Sequence, residues 1–326
     1  MCAARLAFLL NLLISTALLT PGCSFVLPST PHSTTSERSC VPVKPILFHG
    51  QTETEGPYSS MDLRLSDQSI KVAQLMDVLP LLYKLAALQG AGESHRVAVM
   101  ELRQSLTDRL LLTLFEVSSM TAEIVCERDR ADQVADRMDE VDASMVKRLT
   151  LASIVISGIA AIVSGGFGLA SASGASDAAG IAGGAVASVF GGTALFATSK
   201  QEFRHERNLL SELWENPRQS RLFSPTIWRF LHRHHKDPAV TMRDEVIQAW
   251  RQQGRLGEAG SAGEQDRAAL MFSTGGTYTS TDLRARASML ETLEAHIQLL
   301  SEELEGFLRE IVQQRIAGTP KEGFLP

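Results

Sequence analysis

A long run of uncharged, mostly apolar residues between two basic residues constrains this chain more than any other feature. Residues 149–199 form a run of fifty-one residues whose only charged side chain is Asp177, with ten glycines and no proline. Arg148 and Lys200 bound the run. Asp177 divides it into two apolar arms of roughly 22 residues, about the length of a helix that crosses a hydrocarbon core. The pattern predicts a central hydrophobic helical hairpin with Asp177 at its tip.

Small residues at spacing four predict how the two arms pack. Residues four apart share one side of a helix, and stripes of small residues let helix backbones approach closely in lipid. Three interpretations fit: a stable membrane hairpin, a hairpin that inserts conditionally, and a helical hairpin buried in a bundle or oligomer. The predicted packing residues are Ser157, Ala161 and Gly165 in the first arm and Ser176, Gly180, Gly184, Ser188 and Gly192 in the second.

The first 22 residues have the pattern of a secretory signal peptide. Arg5 precedes an apolar stretch of about 14 residues, which is short for a membrane span, so cleavage is expected. Gly22 and Cys23 also fit the end of a bacterial lipobox, which makes Cys23 a lipidation candidate. Basic residues on both sides of the hairpin would favour a cytoplasmic position for its flanks, whereas an export signal places them outside. We give the export signal more weight.

Two cysteines remain in the exported chain outside this signal and its edge. Residues 23–60 are rich in Pro, Ser and Thr and predict a flexible tether that contains Cys40. Cys126 lies far along the chain. In an oxidising compartment Cys40 and Cys126 are candidates for a disulfide, and two free thiols are the alternative.

Residues 61–148 predict N-terminal helices that include one long heptad helix. A first helix begins after Ser66 and Asp67, and Pro80 is expected to kink it. No proline interrupts residues 94–148. A coiled-coil seam is predicted there, because Leu110, Val117, Ile124, Ala131, Met138 and Met145 recur every seven residues and Leu106, Met120, Val134 and Val141 fall at the alternate spacing.

A second heptad helix is predicted over residues 280–318, followed by a tail at 319–326. Ser280 and Thr281 are expected to cap it. Two long helices that flank a hairpin can pack antiparallel. The predicted fold is all-α: an elongated antiparallel helical bundle with long coiled-coil helices and the central hairpin. The second seam consists of Leu290, Leu293, Ile297, Leu300, Leu304, Phe307 and Ile311.

Residues 200–279 hold all three tryptophans and predict several short helices. Ser224 with Pro225 can start one helix, and Thr241 with the acidic residues that follow resembles the capped start of another. Residues 254–263 and 275–276, which are rich in glycine, predict loops.

A basic stretch at residues 218–236 carries the candidate membrane-surface residues Arg221, Trp228, Arg229 and Arg233. Aromatic anchors beside basic side chains suit a helix at a lipid surface. The alternative is a helix that buries Trp228 while its charges face solvent. The histidines in this stretch lack nearby paired carboxylates, so a metal site is not expected at His232, His234 and His235.

Composition and motifs argue against several function classes. The net charge of -6 and pI near 5.8 do not suit a nucleic-acid binder. The chain contains no Gly-x-Ser-x-Gly, His-Glu-x-x-His or phosphate-loop motif. We therefore predict no catalytic residue, no cofactor, no metal and no small-molecule substrate. An enzyme with a dispersed site remains an alternative.

The arrangement of long helices around a hydrophobic hairpin resembles that of the alpha-helical pore-forming toxins. The resemblance covers residues 94–316 as architecture and matches no toxin motif. Stretches at 126–133 and 205–210 also look like uncharacterised exported bacterial proteins with a similar central segment. These resemblances imply membrane association, with pore formation or membrane disruption as one possible activity.

The sequence thus favours a non-enzymatic, exported helical protein that associates with the membrane of a bacterial cell envelope or periplasm. Its heptad helices are expected to mediate self-association or contact with a protein partner, and membrane lipid is the other expected partner.

Overall fold

The computed structural model describes residue 40 and residues 63–88, 95–169, 198–205, 207–234, 238–258 and 260–317. This part of the protein is 76% helical and contains one small two-stranded sheet. The prediction of a mostly helical protein is confirmed at that level. Outside the described residues lie the signal peptide, the lipidation candidate Cys23, the tip residue Asp177, the tail, and the packing residues Ser176, Gly180, Gly184, Ser188 and Gly192.

Eight helices and two strands make up the described part of the chain. The elements, in order, are α1 (Asp67–Leu75), α2 (Leu79–Leu88), α3 (Arg96–Leu169), β1 (Gln201–Arg204), α4 (Leu209–Glu215), α5 (Pro225–Leu231), α6 (Met242–Gln252), α7 (Ala262–Met271), β2 (Gly275–Tyr278) and α8 (Ser280–Ala317).

The chain divides into two compact units. In its described part, the first unit comprises residues 133–169, 198–203 and 277–283. The second comprises Cys40 and the remaining described residues, from 63 to 132, from 204 to 276 and from 284 to 317.

The prediction of one kinked helix near Pro80 is wrong, because the chain forms two helices there. Ser66 caps α1, its side chain accepting a hydrogen bond from the Ser69 amide at 3.2 Å. Asp77, between the helices, has a φ of 56°, which is the left-handed region and ends the helix. Pro80 lies in the first turn of α2, where its missing N–H leaves no helical hydrogen bond unmade.

Helix α3 continues through the predicted boundary at residue 148 without a break. Neither proline nor a charged residue interrupts residues 149–169, so the backbone hydrogen bonding of the helix persists. The predicted seam is buried in its first part, whereas Val141 is 37% exposed and Met145 is half-buried. The buried members are Leu106, Leu110, Val117, Met120, Ile124, Ala131, Val134 and Met138.

Helix α8 buries its predicted apolar stripe except at Ile311, which is half-buried, and it begins with a different cap. Thr279 Oγ1 accepts from the Asp282 amide at 3.2 Å, and the Thr279 amide donates to Asp282 Oδ2 at 3.1 Å. This reciprocal pair requires an acidic residue three positions after the cap. Thr279 meets that requirement, whereas Ser280 and Thr281, the predicted caps, do not. The buried stripe consists of Leu290, Leu293, Ile297, Leu300, Leu304 and Phe307.

The predicted helix starts in the tryptophan-containing region are confirmed. Ser224 caps α5 with Pro225 in its first turn, and Thr241 forms a capping box with Asp244 at the start of α6. Trp250 of α6 donates its indole N–H to the Met289 carbonyl of α8 at 3.0 Å, and both residues are fully buried. This hydrogen bond satisfies a buried donor and fixes α6 on α8.

The structure differs from the prediction at both glycine-rich loops. Gly275 and Gly276 lie in β2, and α7 begins at Ala262, inside the predicted loop. A Cβ at Gly276 would lie 2.7 Å from Leu270 Cδ1, so close side-chain packing rather than a turn accounts for this glycine. The His205 amide, just after β1, donates to the Thr274 carbonyl, just before β2, at 2.9 Å, so the two strands are antiparallel.

Candidate functional site

Helix α3 carries a contiguous stretch of exposed large apolar side chains. We call residues 151–162 the apolar segment. Large apolar side chains in water cost free energy unless another surface covers them, and a contiguous group marks a contact site more often than scattered residues do. The predicted packing residues Ser157 and Ala161 are exposed on the same stretch, and Gly165 lies further along the helix. The large exposed residues are Leu151 (53%), Ile154 (61%), Val155 (58%), Ile159 (58%) and Ile162 (77%).

The chain returns to α3 at Ser199. The Ser199 amide donates to both carboxylate oxygens of Asp142, at 2.9 and 3.2 Å, and Ser199 is buried. Asp142 and Ser199, which stand on either side of residues 143–198 in the sequence, therefore lie in contact in the first unit. Among the helices of the described residues, none combines the length and the apolar character needed to cross a membrane.

Two of the four candidate membrane-surface residues, Arg229 and Arg233, line the same cleft in the structure. Arg229 forms an ion pair with Asp77 at 2.7 Å, and Arg233 pairs with Glu303. Trp228 is 7% exposed and packs against the rings of Phe223 and His232. In the alternative predicted for this stretch, Trp228 is likewise buried.

Arg221 is exposed, and its backbone contacts Glu212. Its amide donates to Glu212 Oε1 at 2.5 Å, and the amide of Leu222 donates to Oε2 of the same carboxylate at 2.9 Å. The Glu212 carboxylate therefore binds backbone amides of the turn that leads into α5, and it does not bind the guanidinium of Arg221 in these contacts.

A basic cleft lies between α1 and the end of α5, entirely within the second unit. Its volume is about 450 Å³. Lys71 and Gln74 of α1 are exposed on one wall, whereas Arg233 is largely buried, its side chain 14% exposed. The lining residues, which define the basic cleft, are Lys71, Gln74, Leu75, Arg229, Arg233 and His234.

The histidines at the end of α5 do not form a metal site in the described residues. His232 Nδ1 is 2.8 Å from the Trp228 carbonyl and Nε2 is 2.6 Å from Asn216 Oδ1, so its ring nitrogens have other partners. No group of three or more histidine, cysteine, aspartate or glutamate side chains that could hold a metal occurs in the part of the chain that is described. His235 lies outside it.

A cluster of charged residues beside the seam of α3 was missed by the sequence reasoning. Glu123, whose side chain is 1% exposed, pairs with Arg207 Nε at 2.8 Å. Glu127 pairs with Arg130 at 3.2 Å, and Arg130 Nη2 donates to the Arg204 carbonyl at 2.6 Å. Glu123, Glu127 and Arg130 recur at spacings of four and three, so they share the helix side next to Ile124 and Ala131. That spacing was the available signal.

Two further residues of this region, His205 and Arg286, are almost completely buried. Burial, together with the positive charges of Arg286 and Arg130, lowers the pKa of His205 to about 2. The imidazole is therefore neutral at physiological pH. Arg286 donates to the Met271 carbonyl at 3.1 Å and to Asn208 Oδ1 at 3.2 Å.

Two carboxyl groups of α3 have pKa values raised by burial. For Glu116, burial outweighs the hydrogen bond with Ser224 and the charge of Arg229, and for Glu123 it outweighs the pairing with Arg207. One carboxylate oxygen of each side chain is buried without a hydrogen-bond partner in the described structure. Both sites therefore favour the protonated acid more than water does.

Cys40 and Cys126 are joined by a disulfide, with their Cα atoms 5.7 Å apart. Cys126 follows the seam residue Ile124 by two positions and is half-buried, which places it on the flank of α3. The bond closes a sequence separation of 86 residues. It fastens the predicted tether region to the middle of the long helix.

The chain matches no protein-family model, no curated protein and no solved structure.

Proposed function

We propose that this protein is a non-enzymatic, exported, membrane-associated protein of the bacterial envelope, and that the hairpin of residues 149–199 is its lipid-contacting element. The carrying observation is the apolar segment of α3, where five large aliphatic side chains are more than half exposed. At roughly 25 cal/mol per Å² of apolar area removed from water, covering several such side chains supplies several kcal/mol. A lipid surface can cover them all.

The contact between Ser199 and Asp142 supports a hairpin. Asp142 and Ser199 are in contact although residues 143–198 separate them in the sequence, and the exposed part of α3 follows Asp142. The side chains of Lys147 and Arg148 precede the apolar segment and suit the anionic headgroups of a bilayer.

A second face of α3 is a better candidate for self-association than the two seams are. The chain buries most seam residues of α3 and α8 by itself, which is the packing expected of an antiparallel coiled-coil pair in a bundle. Val97, Met100, Leu111 and Phe115 instead remain 46 to 68% exposed. On a helical wheel at 100° per residue they fall within about 60°. We propose this stripe as the surface for a second copy.

The test of the lipid proposal is vesicle flotation of the full-length protein, combined with fractionation of tagged protein in cells. The double variant Ile154→Ser and Ile159→Ser removes two exposed aliphatic side chains without touching the buried part of the seam. We expect its flotation to fall at least tenfold, since each side chain contributes about 1 kcal/mol or more when covered.

The control is the double variant Leu308→Ser and Val312→Ser, which removes two exposed aliphatic side chains from α8, outside both proposed contact surfaces. It should float as the unchanged protein does. Equal losses in the two double variants, or no loss in the first, would exclude the apolar segment as the lipid-contacting element.

The second candidate function is membrane permeabilisation, which the continuity of α3 favours. One uninterrupted helix joins the buried seam to the apolar segment, so movement of that helix could carry the segment into lipid. Dye release from vesicles by protein purified without detergent supports this candidate. Flotation without dye release leaves membrane association alone as the function.

A further inference from the structure

We propose that the basic cleft between α1 and α5 binds a phosphate group. The lysine and arginine side chains of the cleft are Lys71, Arg229 and Arg233. The carboxylates paired with them are Asp77 and Glu303, so three positive and two negative charges leave one net positive charge. His234 and Gln74 add a ring nitrogen and an amide to the same lining.

Arg233 is the main reason to expect an anion. Its Nη2 donates to Glu303, while its Nη1 is buried and has no hydrogen-bond partner within the described structure. A buried donor without an acceptor costs free energy, and buried donors in native proteins nearly always have partners. A phosphate oxygen is an acceptor of the charge and geometry that guanidinium groups bind best.

The ion pair with Glu303 leaves room for this role. Oε2 of Glu303 is also buried without a partner, so the two side chains share a single contact although a guanidinium and a carboxylate can make two. Arg233 can therefore keep Glu303 on Nη2, and its buried Nη1 would turn toward the cleft to hold a phosphate oxygen. Removing the carboxylate charge of Glu303 should strengthen phosphate binding.

The other cations of the cleft are available to a ligand at small cost. The pair of Arg229 with Asp77 is largely exposed, at 41% and 59% of the two side chains, and exposed pairs contribute little to stability. Lys71 is exposed on the facing wall. A phosphate group in the cleft would thus meet charged donors from two elements, α1 and the α5 end.

Isothermal titration calorimetry of the full-length protein with inorganic phosphate, at low ionic strength, tests the site. We expect Arg233→Gln to weaken binding about tenfold and Lys71→Gln about threefold. Glu303→Gln should tighten it severalfold. The control Arg218→Gln makes the same charge change on an exposed residue of the basic stretch outside the cleft and should leave binding unchanged.

A second arm identifies the source of the phosphate. Flotation is compared for phosphatidylcholine vesicles with and without phosphatidylglycerol, using Lys71→Gln against Arg218→Gln, with folding of each variant verified by circular dichroism. A Lys71-specific loss that requires phosphatidylglycerol assigns a lipid headgroup. Phosphate binding without such a loss assigns a free phosphate compound. Equal effects of Lys71→Gln and Arg218→Gln on both probes, or no tightening by Glu303→Gln, would overturn the site, whatever the apolar segment does.

Discussion

Arg286 donates a hydrogen bond from Nη2 to the side-chain oxygen of Asn208 at 3.2 Å, in the interior of the second unit. Asn208 also donates from Nδ2 to the carbonyls of Met271 and Ser273, at 2.8 and 2.7 Å, and its Oδ1 caps α4. The pair therefore ties the start of α4 and the end of α7 to α8. Because every one of these groups is buried or half-buried, the loss of one leaves the others unsatisfied.

Replacing Asn208 by alanine should destabilise the protein by about 2 to 4 kcal/mol. The loss combines a helix cap, usually about 1 kcal/mol, with the cost of leaving the buried Arg286 short of an acceptor. Urea unfolding monitored by tryptophan fluorescence measures it. Gln219→Ala, at an exposed position, serves as the control and should change stability by less than about 0.5 kcal/mol. Equal stability of the two variants would show that the cluster is energetically unimportant.

The pKa of His205, lowered to about 2, gives the protein an acid sensitivity. The unfolded chain binds a proton on this residue below about pH 6.5, whereas the folded protein does not until far lower pH. The contribution of His205 to stability is therefore complete above about pH 6.5 and is lost progressively as the pH falls below it. We expect His205→Gln to reduce the slope of unfolding free energy against pH in that acidic range.

Proton NMR of the imidazole provides the direct measurement for His205. Its ring resonances should not shift between about pH 7 and pH 4, because the neutral form persists throughout. A titration with a midpoint near pH 6.5 would contradict the burial of His205 between Arg130 and Arg286.

The sequence predicted those parts of the fold that depend on local or periodic patterns. Ile124 and Ile297 lie at heptad positions, and both are fully buried, because a helix of fixed pitch presents such positions on one side. Ser224 and Thr241 were predicted as caps since the capping residue and its partner are close in sequence. Thr279 meets the same rule and was overlooked.

Contacts between distant segments could not be predicted in this way. Nothing around Arg286, which stands between two alanines, signals a fully buried guanidinium, because its acceptors at Asn208 and Met271 come from other elements. The basic cleft likewise depends on α1 lying beside α5. Asp77 adopts a left-handed conformation that ends α1, and aspartate gives only a weak preference for it.

Glu116 should lower the stability of the protein at neutral pH. Its pKa is raised by burial, so the folded state holds the proton more firmly than the unfolded chain does, and stability decreases as the pH rises through the folded pKa. We expect Glu116→Gln to raise the unfolding midpoint at pH 7 and to have little effect near pH 4, where the acid is already protonated. Differential scanning calorimetry at the two pH values measures this.

The control for Glu116 is Glu101→Gln, an exposed carboxyl of the same helix. Its substitution should leave the pH dependence unchanged. A lower midpoint for Glu116→Gln at pH 7 would mean that the ionised carboxylate is stabilised by Ser224 and Arg229 after all.

The exposed stripe on α3 should govern self-association if a second copy covers it. The double variant Leu111→Ser and Phe115→Ser removes two large exposed side chains, which should weaken a dimer at least tenfold in sedimentation equilibrium. Leu308→Ser with Val312→Ser, exposed residues of α8, provides the comparison. A monomeric native protein at all concentrations would rule out this surface as a dimer contact.

Loss of the disulfide should weaken the protein by about 4.5 kcal/mol, because the chain-entropy model gives that value for a loop closed over 86 residues. The double variant Cys40→Ser and Cys126→Ser avoids an unpaired thiol and should unfold at lower urea concentration than the oxidised protein. Dithiothreitol should lower the stability of the native protein to that of the variant, without affecting the variant. Mass spectrometry of unreduced protein from its native compartment completes the test, since two free thiols there would show that the bond does not form in the cell.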